Sequence, residues 1–422
     1  MDPASALRTG FAPGVPQALG VAVSGGGDSV ALLHLLAEWR AQGGPDLAVA
    51  TVDHGLRPEA AAEAAGVARA CAALGLPHDT LPWRWDGRGN LPDAARRGRT
   101  DALAGWARGR GLADVTLGHT RDDQAETLLM RLARGSGVDG LSAMAGCRRA
   151  GGLSWWRPLL QVGRDELRDW LRARAIPWVE DPSNDDTAYA RVRMRQALPA
   201  LAALGIDTAT LAATAARMAA AREVLEAAAD ALARRAARIE AGDVTLDAAA
   251  LAAAPAETRL RLFSRALLFV APADYRPRAA QAEAALATAL AGGRCTLAGA
   301  LVIGGRRLRL AREAAAVAGL VAAPGATWDG RWRLEGPEAG LPEAGMAEPG
   351  AEIRALGPEG LLQLADWRAA GRPHAVAVAD PGVWLGDRLL AAPTLVPSAG
   401  WRATLLVPPA GLYGPGAAAS PA

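Results

Sequence analysis

The sequence predicts an α/β protein: an N-terminal parallel sheet with helices on both faces, then a mainly helical domain and a small C-terminal α+β module. Three observations carry that expectation. Short apolar runs at 20–24, 47–52, 78–81 and 115–118 alternate with helical spacing at 30–42, 58–74, 91–110 and 124–134, the pattern of repeated strand–helix units. The first run ends in a glycine turn that leads straight into a helix. Near residue 198 the strand punctuation stops and a long Ala/Leu/Arg pattern begins. The expected divisions are 1–198, 199–318 and 319–422.

The first unit is Val21-Ala-Val-Ser-Gly-Gly-Gly-Asp-Ser29 running into Val30-Ala-Leu-Leu-His-Leu-Leu36. Adjacent glycines let a backbone take φ > 0 and approach a ligand closely. A helix starting near Asp28 aims its free N–H groups and the positive end of its dipole at the turn, which makes Ser24, Gly25, Gly26, Gly27, Asp28 and Ser29 a candidate anion cradle. The loop lacks the Gly-Lys-Ser/Thr of a Walker A motif, and Asp28 stands where its lysine would be; the dinucleotide Gly-x-Gly-x-x-Gly is also missing. An acid in a phosphate loop makes sense where Mg²⁺ bridges it to the phosphates.

The second strand ends in Thr51-Val-Asp-His-Gly-Leu-Arg57, with Pro58 opening the next helix. Asp53 would lie on the ligand rim beyond the strand ends; the same residue could cap the following turn. The fourth strand runs into Gly118-His-Thr-Arg-Asp-Asp-Gln-Ala-Glu-Thr127. Asp122 is placed to cap a helix, and Asp123 and Glu126, three apart, share one face of its first turn. Carboxylates beside a phosphate loop suit Mg²⁺, for which Asp28 and Asp123 are the candidates, or an ammonium group; acids also favour helix N-termini for the dipole alone. His119 follows the strand end beside these acids, either as a structural imidazole or as an acid–base group.

Arg131 and Arg134 precede a Gly-Ser-Gly turn, as phosphate contacts or as cations at a helix C-terminus. A helix is expected at 164–174, and 176–186 reads as a rigid, turn-rich loop. Tyr189 then precedes Arg191, Arg193 and Arg195 at alternate positions, a combination suited to RNA phosphates and base stacking, or to a solvated helix face. Helices are expected over 204–240, 245–251, 257–270 and 277–290, with a hairpin at 292–305. Beyond residue 320, short strands at 328–334, 375–378 and 383–390 lie among Gly and Pro, and 414–422 reads as a disordered tail.

With 422 residues, half of them hydrophobic, the chain has a sizeable core available. Its net charge of +2 is no argument for nucleic acid. All 46 basic side chains are arginine, so phosphate contacts fall to planar, permanently charged forks and the protein has no catalytic lysine of its own. Cys71, Cys147 and Cys295 are far apart, which weighs against disulfides and metal clusters. The start lacks a basic segment followed by an apolar run, and no stretch approaches about 18 uninterrupted apolar residues. A cytoplasmic protein with no membrane partner is the expectation.

Ser-Gly-Gly-Gly-Asp-Ser resembles the pyrophosphate loop of the N-type ATP pyrophosphatases. The ordered set of that loop with Val-Asp-His-Gly-Leu-Arg, Gly-His-Thr-Arg-Asp-Asp-Gln-Ala-Glu-Thr, Arg-Gly-Ser-Gly, Arg-Pro-Leu-Leu and Glu-Asp-Pro-Ser-Asn is similar to the tRNA(Ile)-lysidine synthetase family. The resemblance implies ATP and Mg²⁺ as cofactors, and free L-lysine and an isoleucine tRNA with a CAU anticodon as substrates. ATP adenylates C2 of the wobble cytidine, pyrophosphate leaves, and the lysine ε-amine displaces AMP. It assigns ATP to Ser24–Ser29, with Asp53 a weaker candidate, and active-site roles to Asp28, His119, Asp123 and Glu126. Val192 departs from the family's usual Arg-Asn-Arg. A tRNA thiolase of the same superfamily is the nearest rival, and the isolated cysteines weigh against it. The intact acidic motifs weigh against an RNA-binding protein with a decayed nucleotide loop.

Overall fold

The computed structural model describes residues 2–12, 14–55, 59–180, 186, 188–273, 276–336, 350–398 and 400–414. Arg57, Pro58, the Asp-Pro-Ser-Asn run at 181–184 and the last eight residues of the expected tail lie outside them. The chain packs as two compact units, Met1–Arg222 and Glu223–Ala422.

In the first unit the elements run α1 (Pro3–Thr9), β1 (Ala18–Ala22), α2 (Gly27–Ala41), β2 (Asp46–Asp53), α3 (Ala60–Ala73), β3 (His78–Pro82), α4 (Leu91–Gly109), β4 (Asp114–Leu117), α5 (Arg121–Leu132), α6 (Val138–Leu141), β5 (Cys147–Ala150), β6 (Leu153–Trp156), α7 (Arg164–Ala173) and α8 (Ala190–Ala202). The six strands lie in the order β3-β2-β1-β4-β6-β5. Five are parallel, the four expected and β6, which was not, and β5 is an antiparallel edge strand paired with β6. Alternate side chains supply two cores. Leu19, Val21 and Val49 pack under α1, α2, α3 and α7, while Ala50, Val115 and Trp155 pack under α4 through Leu103 and Ala107. Helices therefore cover both faces. β1 sits between β2 and β4, so the chain winds outward through β2 and β3 and returns on α4 to the other side of β1. Its C-terminal edge is the crevice where strand order reverses, the usual ligand position in such sheets.

The helix boundaries have local causes. Asn90 accepts the Asp93 N–H at 3.2 Å and Pro92 occupies the first turn, which fixes the start of α4. In α5 the cap is Thr120 rather than Asp122. Thr120 and Asp123 form a capping box, and Asp122, inside the first turn, accepts the Arg164 N–H at 2.7 Å.

A 29-residue helix, α9 (Thr208–Ala236), carries residues of both units. The middle of the chain is helical as expected, but it also holds an antiparallel sheet. β7 (Ala237–Glu240) and β8 (Asp243–Asp247) precede α10 (Ala248–Ala253), α11 (Ala256–Val270) and α12 (Ala279–Leu290), and β9 (Arg294–Leu297), β10 (Ala300–Ile303) and β11 (Arg307–Arg312) follow. The order is β7-β8-β11-β10-β9, with Leu246, Phe263, Val302 and Leu310 in the core. The expected helix at 245–251 is therefore a strand end followed by a short helix capped by Asp247. Val244 and Leu246 are fully buried and Asp243 and Thr245 are buried as well, so this strand is covered on both faces. Towards the C-terminus the expected strands form two three-stranded sheets, but the runs expected as single strands at 328–334 and 383–390 are each two strands joined by a turn, and the run expected as a strand at 375–378 begins as a helical turn, His374–Ala377, entered through Pro373.

Arg372 ties this last region to β8. It pairs with Asp243 at 2.9 Å and with Asp380, all three buried. Asp243 also has Arg309 at 2.8 Å, whereas Asp380 has, besides Arg372, only the Thr394 hydroxyl at 3.4 Å among the described residues. Arg372→Ala leaves a buried carboxylate without a cation. It is expected to destabilise the second unit by about 3–5 kcal/mol, read as an earlier calorimetric transition.

Candidate active site

The glycine loop follows β1 at the reversal of strand order. Gly25 has φ 91°, where a side chain is strained, and its carbonyl accepts the Val179 N–H at 3.0 Å. Ser29 Oγ donates to the Gly26 carbonyl at 2.9 Å and accepts the Ser24 N–H at 3.1 Å, drawing the loop closed. No side chain caps α2 among the described residues, so its first amides face the turn. A Cβ on Gly27 would lie 3.3 Å from Trp178 Cδ1, and one on Gly118 would lie 3.0 Å from the Asp28 carbonyl oxygen. The loop after β4 thus presses directly on the first turn of α2, which brings His119, Asp123 and Glu126 to Asp28.

At the centre lies Arg164, the first residue of α7. Its guanidinium reaches Asp28 at 3.3 Å, Asp123 at 3.4 Å and Glu126 at 3.4 Å. Burial opposes its charge, but Asp28, Asp123, Glu126 and Asp122 outweigh that, and its pKa rises. Burial pushes the Asp28 carboxyl up to about 6, against the pull of Arg164 and with Asp123 adding to the rise. Asp123 is buried too, yet Arg191, Arg164 and the Thr120 N–H, which it accepts at 2.8 Å, hold it below the usual carboxylate range. Glu126 is 0 % exposed and also pairs with Arg191 at 2.9 Å and Arg195 at 2.8 Å. Burial lowers the His119 pKa, with Arg157, Arg99 and Arg191 adding to the fall against the help of Asp123, so the ring is neutral; its buried Nδ1 has no hydrogen-bond partner among the described residues.

The residues singled out in the sequence separate into groups. Ser24–Ser29, His119, Asp123 and Glu126 come together. Asp53 lies at the end of β2, where its carboxylate accepts the Gly55 N–H at 2.8 Å and closes the turn. Arg131 is tied to the carbonyls of Gly140 and Ala143 at 2.8 and 2.9 Å, and Arg134 is exposed just beyond the end of α5. Arg191, Arg193 and Arg195 lie on a helix, so their alternate positions diverge. Arg191 and Arg195, four apart, both face Glu126, while Arg193 is exposed and donates to the Ala188 carbonyl at 2.9 Å. Val192 is buried. Sequence reasoning missed Arg164, Trp178 and the electrostatic reach of Arg99 and Arg157. Only the amphipathic spacing of α7 marked the neighbourhood of Arg164, and nothing marked its side chain. The cysteines are free, and burial raises all three thiols, Cys71 to about 11.

Residues 4–201 match the model of the PP-loop domain family. The chain is 49% identical over 401 residues to a tRNA(Ile)-lysidine synthase of Ruegeria pomeroyi, covering 94% of each. It is 51% identical over 216 residues to one of Bradyrhizobium diazoefficiens, covering 50% of this chain and 60% of that one. Among solved structures, the U34-tRNA thiolase NcsA from Methanococcus maripaludis with its [4Fe-4S] cluster is 15% identical over 51% of this chain and 75% of that one, with a TM-score of 0.44, too slight a likeness to bear on function. A glycine loop joined through one arginine to an acid-bearing helix, in a chain that matches a relative at this identity along nearly the whole length of both, belongs to the tRNA(Ile)-lysidine synthase family.

Proposed function

We propose that this enzyme uses ATP to join the ε-amine of free lysine to C2 of the wobble cytidine in an isoleucine tRNA with a CAU anticodon. The reading rests above all on the meeting of Asp28, Asp123 and Glu126 beside the glycine loop. In the first step the C2 oxygen attacks the α-phosphorus of ATP and pyrophosphate leaves. In the second, the amine adds to C2 and expels AMP, so a poor oxygen leaving group has become a good one. Ser24–Ser29 and the first amides of α2 bind the phosphates. Asp123 and Glu126 receive the lysine ammonium.

The oxygen donors of Asp28 and Asp123 fit Mg²⁺, which takes one or two carboxylates together with substrate phosphates and water. Bound there, the ion would neutralise charge on the departing pyrophosphate. Burial lowers the His119 pKa and favours the neutral ring; among the carboxylates Asp28, which burial pushes up to about 6, is the better acceptor for the amine's proton. Exposed arginines, Arg134 and Arg193 among them, are the candidate contacts for the tRNA backbone. No helix among the described residues is long and apolar enough to cross a membrane, and we take the cytoplasm as the place of action.

Purified protein with ATP, Mg²⁺, labelled lysine and CAU-anticodon isoleucine tRNA should place label at the wobble cytidine. No label, with sulfur transferred instead from a persulfide donor, would overturn this reading in favour of a thiolase. The raised thiol pKa values argue against that outcome.

A further inference from the structure

The three carboxylates that this reading gives to metal and amine are all engaged by one guanidinium of the protein itself. Arg164 is unusual in its place. It opens α7, where the positive end of the helix dipole disfavours a cation, and the acids suited to that position, Asp165 and Glu166, follow it. Its backbone is fixed, because its N–H is held by Asp122 at 2.7 Å. Its side chain is held otherwise. The contacts to Asp28, Asp123 and Glu126 are 3.3, 3.4 and 3.4 Å, longer than the roughly 2.7–2.9 Å of a committed charge-assisted hydrogen bond. Arg191 and Arg195, by contrast, hold Glu126 at 2.9 and 2.8 Å. Of the three arginines around Glu126, Arg164 is thus the loosely shared one. Its Nε lies on Asp28, the residue at the edge of the glycine loop, so a small rotation of a long side chain takes it from the acids to phosphates bound in that loop. A phosphate offers the bidentate geometry that a guanidinium prefers.

We propose that Arg164 is a positioning residue that couples nucleotide to amine. Its guanidinium bridges Asp28 to Asp123 and Glu126 until the phosphates of ATP draw it away, and Asp123 and Glu126 then receive the ammonium of lysine. An ammonium presents three donors and no acceptor, the same demand that the guanidinium satisfies on these oxygens. The order of binding follows: nucleotide first, amine second, so lysine occupies the site once the reaction that needs it is under way. The inference rests on the proposed lysine site at Asp123 and Glu126.

The test is equilibrium dialysis of labelled lysine against the full-length protein with isoleucine tRNA present throughout, with and without α,β-methylene-ATP, which cannot be cleaved at the reacting bond. In the wild type the analogue should tighten lysine at least tenfold, and by linkage lysine should tighten the analogue by the same factor. Arg164→Gln should bind lysine with nearly equal affinity in both conditions, and Arg164→Lys, which keeps a cation, should retain part of the difference. Equal wild-type affinities, a tenfold effect surviving in Arg164→Gln, or no lysine binding even with the analogue would each overturn the coupling. Incorporation of lysine into tRNA, measured separately, distinguishes the two failures. If it proceeds without coupling, only the role of Arg164 falls; if it does not proceed, the functional reading falls with it.

Discussion

Glu126→Ala is expected to abolish lysine incorporation and to destabilise the first unit by about 1–3 kcal/mol, because the lost carboxylate is buried but the side chains of Arg191 and Arg195 are partly exposed to water and Arg164 keeps Asp28 and Asp123. Glu126 is fully buried and meets Arg164, Arg191 and Arg195. Its loss leaves cations gathered from α7 and α8 with no carboxylate at their centre. Glu126→Gln separates the two effects. The amide fills the same space and still accepts hydrogen bonds, so the thermal transition should fall by less, while the missing negative charge still prevents the ammonium from binding. A glutamine variant with full activity would remove Glu126 from the chemistry and leave it a structural role alone.

Asp28→Ala should do the reverse, keeping the fold and losing the first step. Arg164 retains Asp123 and Glu126 when Asp28 is removed, so no cation is stranded. Burial already pushes the Asp28 carboxyl up to about 6, which means that its ionised form is held at a cost. The change in stability should stay within about 1 kcal/mol. Pyrophosphate release that depends on tRNA should fall by about 10²–10³-fold, the effect of losing one electrostatic contact to a reacting group. Full activity in this variant would place the phosphate chemistry elsewhere.

The parallel strands and the glycine loop were legible because β1, β2 and β4 are runs of buried aliphatic residues bounded by turn chemistry, and because three adjacent glycines have few other uses. Asp123 and Glu126 were legible as a pair because their spacing of three survives in any helix. The antiparallel edge strand β5 and its neighbour β6 were not, although β3 at the other edge was. β5 reads Cys-Arg-Arg-Ala, with two exposed arginines, and its partner β6 holds only four residues. Strands β7 and β8 were read as helix because they hold four and five residues and lie directly against the end of α9 and the start of α10. Arg191 and Arg195 read as RNA contacts because arginines beside Tyr189 suit phosphates and base stacking; on a helix the two point together at a buried acid. Arg164 illustrates the general limit. A helix of high amphipathicity announces which face is buried, but its first residue belongs to neither face, and only the tertiary approach of α2 and α5 gives that side chain its partners.

The contact between Gly27 and Trp178 has a consequence for how this chain can drift. The indole lies 3.3 Å from where a Cβ on residue 27 would stand, so the two positions, distant in sequence, are in tight contact. A side chain at 27 requires the half-buried indole at 178 to shift or be replaced by a smaller group. Any such exchange would also disturb the Val179 amide that binds the Gly25 carbonyl. The two sites are therefore expected to change as a pair, and a double-mutant cycle across them should be strongly non-additive.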